Sequence, residues 1–199
     1  MEKLRRALHF LLIVALLLLT LPSNLTSAGA PEGEITEAIV YYVKPGASGD
    51  CLSWSSACDL QTALIHPTPP DHIWVAAGTY KPTSTTNRAA TFQLVSGVEV
   101  YGGFPAAGGG WETRDWNANP TILSGDIGTE GSTADNSYHV VTGSGVNASA
   151  ILDGFAITAG NATGVEEQRY GGGMFSWSGS PTLANLLFVS NTASVGGGG

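Results

Sequence analysis

Carboxylates are the side chains whose types and spacing most invite chemistry in this sequence. Asp126, Glu130 and Asp135 share one loop rich in Gly, Ser and Thr, and Asp153 follows one coil later if the chain repeats. Gathered on one face, they would offer oxygens to calcium, which takes about six to eight. The blander alternative is that each satisfies the backbone of its own turn. Glu166 and Glu167 form a second acidic pair. Two acids about 5–9.5 Å apart suffice for glycoside hydrolysis, but these two are adjacent in an insertion and read as solvated. Arg114, beside Asp115, reads as a loop ion pair or hydrogen-bond anchor rather than a base. His139 lies in a strand-like run and reads as packed or turn-bonded rather than as a general base. Tyr170 and Trp177 flank a glycine-rich corner. Their rings either stack on a sugar face or pack on neighbouring chain, and packing is the simpler reading. No catalytic, cofactor-binding or metal-binding residue is assigned from this inventory; calcium at the acidic loop is the one ion left open.

The two cysteines, Cys51 and Cys58, are seven residues apart. Zinc would need two further ligands, and only His66 and His72 offer imidazoles nearby, so the pair is expected to form a disulfide of an exported chain. The N-terminus agrees. Lys3, Arg5 and Arg6 precede an apolar run of 12 residues, Phe10 to Leu21, and Thr26-Ser27-Ala28 is a small-residue cleavage pattern. Residues 1–28 therefore read as a secretory signal peptide, and the run is short for a membrane span of about 20 residues. No second apolar stretch of that length follows. The formal charge is −8, and removing the signal takes away more basic than acidic side chains. Such a surface argues against nucleic acid, which needs Lys and Arg to displace phosphate counterions, and against anionic lipid. It is neutral towards polysaccharides. The glycine runs lack the Gly-Lys-Ser/Thr of a phosphate loop. Asn147-Ala148-Ser149 and Asn161-Ala162-Thr163 are glycosylation sequons, meaningful in a host that modifies them.

The elements that must position these residues are short. Residues 29–39 read as a polar linker. Val40-Tyr41-Tyr42-Val43 is a strand stopped by Lys44-Pro45-Gly46. Asp59 is placed to cap a short helix with Leu60, Ala63 and Leu64 on one apolar face, ended by His66-Pro67, with a turn at Pro69-Pro70-Asp71. From Ile73 onward, apolar runs of three to five residues alternate with turn residues, and no helical period runs through them. Two glycine runs, Gly171 to Gly173 and Gly196 to Gly199, start 25 residues apart. At an offset of 31 residues Leu152 matches Leu183, Gly154 matches Asn185, Phe155 matches Leu186, Ile157 matches Phe188 and Ala162 matches Ala193. The extra length comes from an insertion at Val165 to Tyr170. A unit of about 25 residues is shorter than a propeller blade and suits one coil of a parallel β-helix. Phe155, Ile157, Leu186 and Phe188 then point inward, and Gly154, Asn185, Asn161 and Asn191 take the turn positions that need positive φ.

Several segments taken together resemble bacterial secreted right-handed β-helix proteins of the pectin-lyase-like group, similar to polymorphic outer-membrane proteins. They are Ile73-Trp74-Val75-Ala76-Ala77-Gly78-Thr79-Tyr80, Val100-Tyr101-Gly102-Gly103-Phe104, Arg114-Asp115-Trp116, Ile122-Leu123-Ser124-Gly125-Asp126-Ile127-Gly128, Asp135-Asn136-Ser137-Tyr138-His139-Val140-Val141 and Leu152-Asp153-Gly154-Phe155. The resemblance covers about residues 40–199. It implies further coils and an anchoring domain beyond Gly199, and that Asp59 to His66 plugs the N-terminal end. Pectate lyases on this fold use carboxylates around calcium and an arginine base. No arginine here is tied to a carboxylate cluster, so no lyase position carries over.

The expected fold is thus all-β, a right-handed parallel β-helix (solenoid) with a short N-terminal capping helix, truncated at the C-terminus. Its parts are a signal peptide at 1–28, a linker at 29–39, a cap with the disulfide loop and helix at 40–72, and incomplete coils at 73–199. The expected role is a secreted or cell-surface, structural or adhesin-like protein that binds carbohydrate (polysaccharide or cell-surface glycans) or another surface, with no catalysis evident, no cofactor and no nucleic-acid partner. The alternative is a polysaccharide lyase or glycoside hydrolase whose cleft lies in missing coils.

Overall fold

The computed structural model describes residues 38–65 and 71–197. The signal peptide, most of the linker, the helix stop at His66-Pro67 and the last two glycines lie outside the described residues. No helix among the described residues is long and apolar enough to cross a membrane.

The chain is mostly short strands in parallel sheets. β1 (Val40–Val43) begins it, and its branched and aromatic residues suit a pleated surface. A disulfide joins Cys51 to Cys58, both buried. The loop it closes is sewn to β1, since Tyr42 N–H donates to the Cys51 carbonyl (2.8 Å) and Cys58 N–H to the Tyr42 carbonyl (3.1 Å). Helix α1 (Leu60–Ile65) comes next. Asp59 caps it as expected, accepting from Thr62 N–H (2.9 Å) and Thr62 Oγ1 (2.8 Å), and Leu60, Ala63 and Leu64 are buried.

The remaining strands are β2 (Asp71–Ala76), β3 (Gly78–Tyr80), β4 (Phe92–Gln93), β5 (Val98–Phe104), β6 (Thr121–Ser124), β7 (Val141–Thr142), β8 (Ile151–Asp153), β9 (Ala156–Thr158), β10 (Asn161–Ala162), β11 (Met174–Phe175), β12 (Thr182–Ala184), β13 (Leu187–Val189) and β14 (Thr192–Ala193). Four sheets result, ordered β1-β2-β5-β8-β12, β3-β6-β9-β13, β4-β7-β11 and β10-β14. Every pairing between these strands is parallel. From β2 onward the chain visits the five-, four- and three-stranded sheets in constant rotation, with β10 and β14 entering after β9 and β13.

The 31-residue offset is the register of three pairings, β8 with β12, β9 with β13 and β10 with β14. Leu152 pairs with Leu183, Ile157 with Phe188 and Ala162 with Ala193. Side chains alternate across each strand. Val43, Ile73, Val75, Val98, Val100 and Leu152 of the five-stranded sheet join Tyr80, Leu123 and Ile157 of the four-stranded sheet and Phe92 and Val141 of the three-stranded sheet in one buried cluster. Each such aliphatic side chain stabilises the fold by about 1.5–3 kcal/mol relative to exposure.

Two details differ from the sequence reading. The strand expected from Ile73 opens at Asp71, which accepts a hydrogen bond from Ile39 N–H (2.9 Å), and β2 pairs along β1. β1 therefore shares a sheet with β2, β5, β8 and β12. The positive-φ turns fall at Gly154 (85°) and Asn185 (49°) as expected, but at Ala159 (61°) and Ser190 (56°) instead of Asn161 and Asn191. Asn161 is held in β10. Asn191 works through its side chain, donating Nδ2–H to the Ile157 carbonyl (2.8 Å) and accepting from Gly160 N–H (3.0 Å).

Candidate functional site

The insertion that lengthens one repeat folds as a single 3-10 turn, Glu166–Arg169. Gly164 N–H donates to the Gln168 carbonyl (3.0 Å) and Val195 N–H to the Arg169 carbonyl (3.1 Å), which ties the turn at both ends. Gly171 then takes positive φ, and the chain runs past Gly160 so closely that a Cβ at Gly160 would overlap the Gly172 carbonyl. The two glycine runs lie side by side, with Gly171 N–H on the Gly196 carbonyl and Gly172 N–H on the Gly197 carbonyl (3.1 Å each). Glycine is needed here because two backbones meet without room for a side chain.

Beyond this corner β11 carries Phe175, and Trp177 lies two residues on, in the bend that follows the strand. Both are pinned through the backbone. Gly143 N–H donates to the Phe175 carbonyl (2.9 Å), Gly145 N–H to the Trp177 carbonyl (3.1 Å), and Trp177 N–H to Ser144 Oγ (3.0 Å). The indole is nonetheless 72% exposed, and Tyr170 is 39% exposed. Glu166, Glu167, Arg169, Tyr170, Phe175 and Trp177 together line a hollow of about 490 Å³. The Arg169 guanidinium lies 5.9 Å from the Tyr170 ring centre.

His139 supports this hollow from behind. Its ring stacks on Phe175 (4.8 Å between centres, 20° between planes), and Nδ1 lies 3.1 Å from the Gly171 carbonyl, so Nδ1 carries the proton and donates. Burial pushes its pKa below the ordinary histidine value, against the smaller opposing effect of that bond. The imidazole is thus stacked and bonded to the backbone, the packed arrangement that the sequence suggested.

The other candidates fall elsewhere. Asp153 does not join the acidic loop. It pairs with Arg114 (3.1 Å), whose side chain is only 6% exposed and also donates to the Gly102 carbonyl (2.7 Å) and the Asp153 carbonyl (3.0 Å). Arg114 is an anchor as expected, but its ionic partner lies on β8. Asp115 instead accepts from Asn117 and Ala118 N–H (2.9 and 3.1 Å). Asp126 accepts Gly131 N–H on both oxygens (3.1 Å each). Asp135 accepts Thr129 N–H (2.7 Å), a bond that holds its carboxyl below the usual range. Among the described residues no three His, Cys, Asp or Glu side chains are grouped to hold a metal ion.

The packed reading of Trp177 gives way to an exposed one, since among the described residues its side chain is left 72% exposed. The sequence reading also missed Phe175 and Arg169. The alternation of Phe175 with Trp177, and the position of Arg169 next to Tyr170, were the available signals. Exposed rings beside carboxylates and a guanidinium can stack on apolar C–H faces and hydrogen-bond hydroxyls. No family model, no curated protein and no solved structure matches this chain.

Proposed function

We propose that this chain is a secreted or cell-surface repeat protein, wound as a right-handed parallel β-helix, that binds carbohydrate without transforming it. The constant rotation of the chain through its sheets and the 31-residue register support the winding, and a right-handed sense is the rule for parallel crossovers. The disulfide and the signal-like N-terminus support export. The observation that carries the binding role is Trp177, an indole left 72% exposed on a bend whose backbone is hydrogen-bonded to Ser144 and Gly145. A rigid aromatic held open loses little entropy on stacking, which favours affinity. Glu166 and Glu167, both exposed, supply acceptors at the rim and are not called on for acid–base work.

The test is a glycan array read beside a depolymerisation assay on acidic polysaccharides with calcium, using the full chain and Trp177→Ala. Glycan binding that falls about tenfold in the variant, with no turnover, is the expected result. Unsaturated or shortened sugar products would overturn it in favour of a lyase or hydrolase, and binding indifferent to Trp177 would remove the corner from the proposal.

A further inference from the structure

A second cluster lies on the outer face of the five-stranded sheet. Strand alternation turns Ile73, Val75, Val98 and Val100 into the core and leaves His72, Trp74, Glu99 and Tyr101 outside. Register then sets His72 opposite Glu99 and Trp74 opposite Tyr101. Trp111, from the 3-10 turn Trp111–Thr113, lies over them. Its ring is 4.9 Å from Tyr101 at 87° and 5.8 Å from Trp74 at 47°, and Trp111 is 49% exposed. Phe104 stacks on Trp74 (4.7 Å, 13°) and stiffens the wall. His72, Trp74, Glu99, Tyr101 and Trp111 enclose a hollow of about 220 Å³.

The polar groups at this hollow are fixed on one side and free on the other. Tyr101 Oη donates to Glu99 Oε2 (2.8 Å), and burial together with that bond pushes the phenol up to about 12, so it remains a donor. His72 Nδ1 is 2.9 Å from the same Glu99 oxygen but out of line for a hydrogen bond. Glu99 Oε1, His72 Nε2 and Trp111 Nε1 have no protein hydrogen-bond partner among the described residues. A carboxylate acceptor, an imidazole and an indole N–H thus converge on a hollow walled by aromatic rings.

Charge selects the ligand. The Arg114 guanidinium already sits 5.2 Å from the centres of both Tyr101 and Trp111, so a second cation would compete with it for the same two rings. Asp153 is already paired with Arg114, which leaves the Glu99 carboxylate as the charge in the hollow, in a chain of formal charge −8, so an anion is disfavoured. What fits is a neutral polyhydroxylated ring, with its C–H face on an indole and its hydroxyls on Glu99 and His72. The geometry points to a binding site for a neutral saccharide ring at His72, Trp74, Glu99, Tyr101 and Trp111. It shares a ligand class with the Trp177 corner and no residue, so the two stand or fall separately.

The experiment titrates the full chain, carrying Trp177→Ala to silence the corner, with neutral cello-, manno- and N-acetylglucosamine oligosaccharides. Oligogalacturonate and a glucosamine oligomer serve as charged controls, and binding is read by tryptophan fluorescence and calorimetry. The expected result is binding of at least one neutral oligosaccharide, weaker or absent for the charged ones. Trp111→Ala should lower it about tenfold and Glu99→Gln about threefold. Because Trp111→Ala removes packing as well, Glu99→Gln and His72→Ala, at one-third-exposed side chains, test the site in a fold checked by circular dichroism. Absence of neutral-sugar binding in the Trp177→Ala chain, stronger binding of either charged oligomer, or affinity indifferent to both Glu99→Gln and His72→Ala overturns the site. Binding lost by Trp177→Ala alone would keep the corner and sink this site; binding lost only through Trp111 and Glu99 would do the reverse.

Discussion

Leu152 and Leu183 hold matching positions on paired strands, yet Leu152 is 1% exposed and Leu183 is 44% exposed. The contrast recurs in the next sheet, where Ile157 is sealed and its register partner Phe188 is half-buried. The residue types are alike and so is the strand geometry; the difference is the neighbours. β8 lies between β5 and β12, whereas β12 pairs with β8 alone among the described residues. In a parallel sheet a core-facing side chain is flanked by strands on both sides unless its strand lies at the edge, so position in the sheet decides what an apolar residue is worth.

The largest expected effect tests this directly. Leu152→Ala should cost about 2–5 kcal/mol, since it opens a cavity under two flanking strands, whereas Leu183→Ala should cost less than about 1 kcal/mol. Urea denaturation of the two variants makes the measurement. Equal losses would mean that Leu183 is covered in solution, and a midpoint that rises with protein concentration would identify a second copy as the cover.

The other edge of the same sheet sharpens the comparison. β1 is also an edge strand, but it is covered. Lys44 N–H donates to the Cys58 carbonyl (3.0 Å), the Cys51 loop bonds Tyr42, and α1 packs its apolar face beneath. Such covering protects an edge from pairing with other chains. Replacing both Cys51 and Cys58 with Ala should cost about 2–3 kcal/mol by the loop-entropy model. Hydrogen exchange should then speed up at Tyr42 and Lys44 while β8 amides stay protected. Unchanged exchange at those positions would show that the backbone bonds alone hold the cover, and that the two edges differ for a reason other than the disulfide.

How far the sequence disclosed this molecule depends on the range of each signal. β1, the Asp59 cap, the helix face and the 31-residue register were legible because each rests on local chemistry or on self-similarity. The ion pair of Arg114 with Asp153 was not, since the two residues are 39 apart and nothing near Arg114 distinguishes Asp153 from Asp115. The turns at Ala159 and Ser190 were missed because asparagine is the commoner left-handed residue, while Asn191 is occupied in bonding Ile157 and Gly160. Trp177 was misjudged for a related reason. Alternation says which side of a strand a residue faces, but not whether another part of the chain covers that side. The outer cluster at His72 and Glu99 needed the register of β2 on β5, which no local pattern supplies.

The smallest effect concerns His139, whose ring holds the aromatic corner against β7. Its folded pKa lies below the ordinary value of 6.5, so at neutral pH the folded protein contains the neutral imidazole. Below pH 6.5 the unfolded chain binds a proton that the folded protein resists, hence the unfolded state carries more protons and stability falls as pH drops. The fall ends once pH passes below the folded pKa and both states are protonated. Asp50 and Asp135, with carboxyls held below their ordinary value of 3.8, lose their contribution only in still more acid solution, so they do not imitate a slope that starts near 6.5. The melting temperature should therefore fall as pH drops from about 7 towards the folded pKa, and His139→Gln should flatten that part of the profile. If the slope survives in His139→Gln, the imidazole is not what makes the corner sensitive to acid. The β11 edge would then be held by backbone bonds alone, Val141 N–H on the Gly173 carbonyl and Gly143 N–H on the Phe175 carbonyl, as the β12 edge is held on β8.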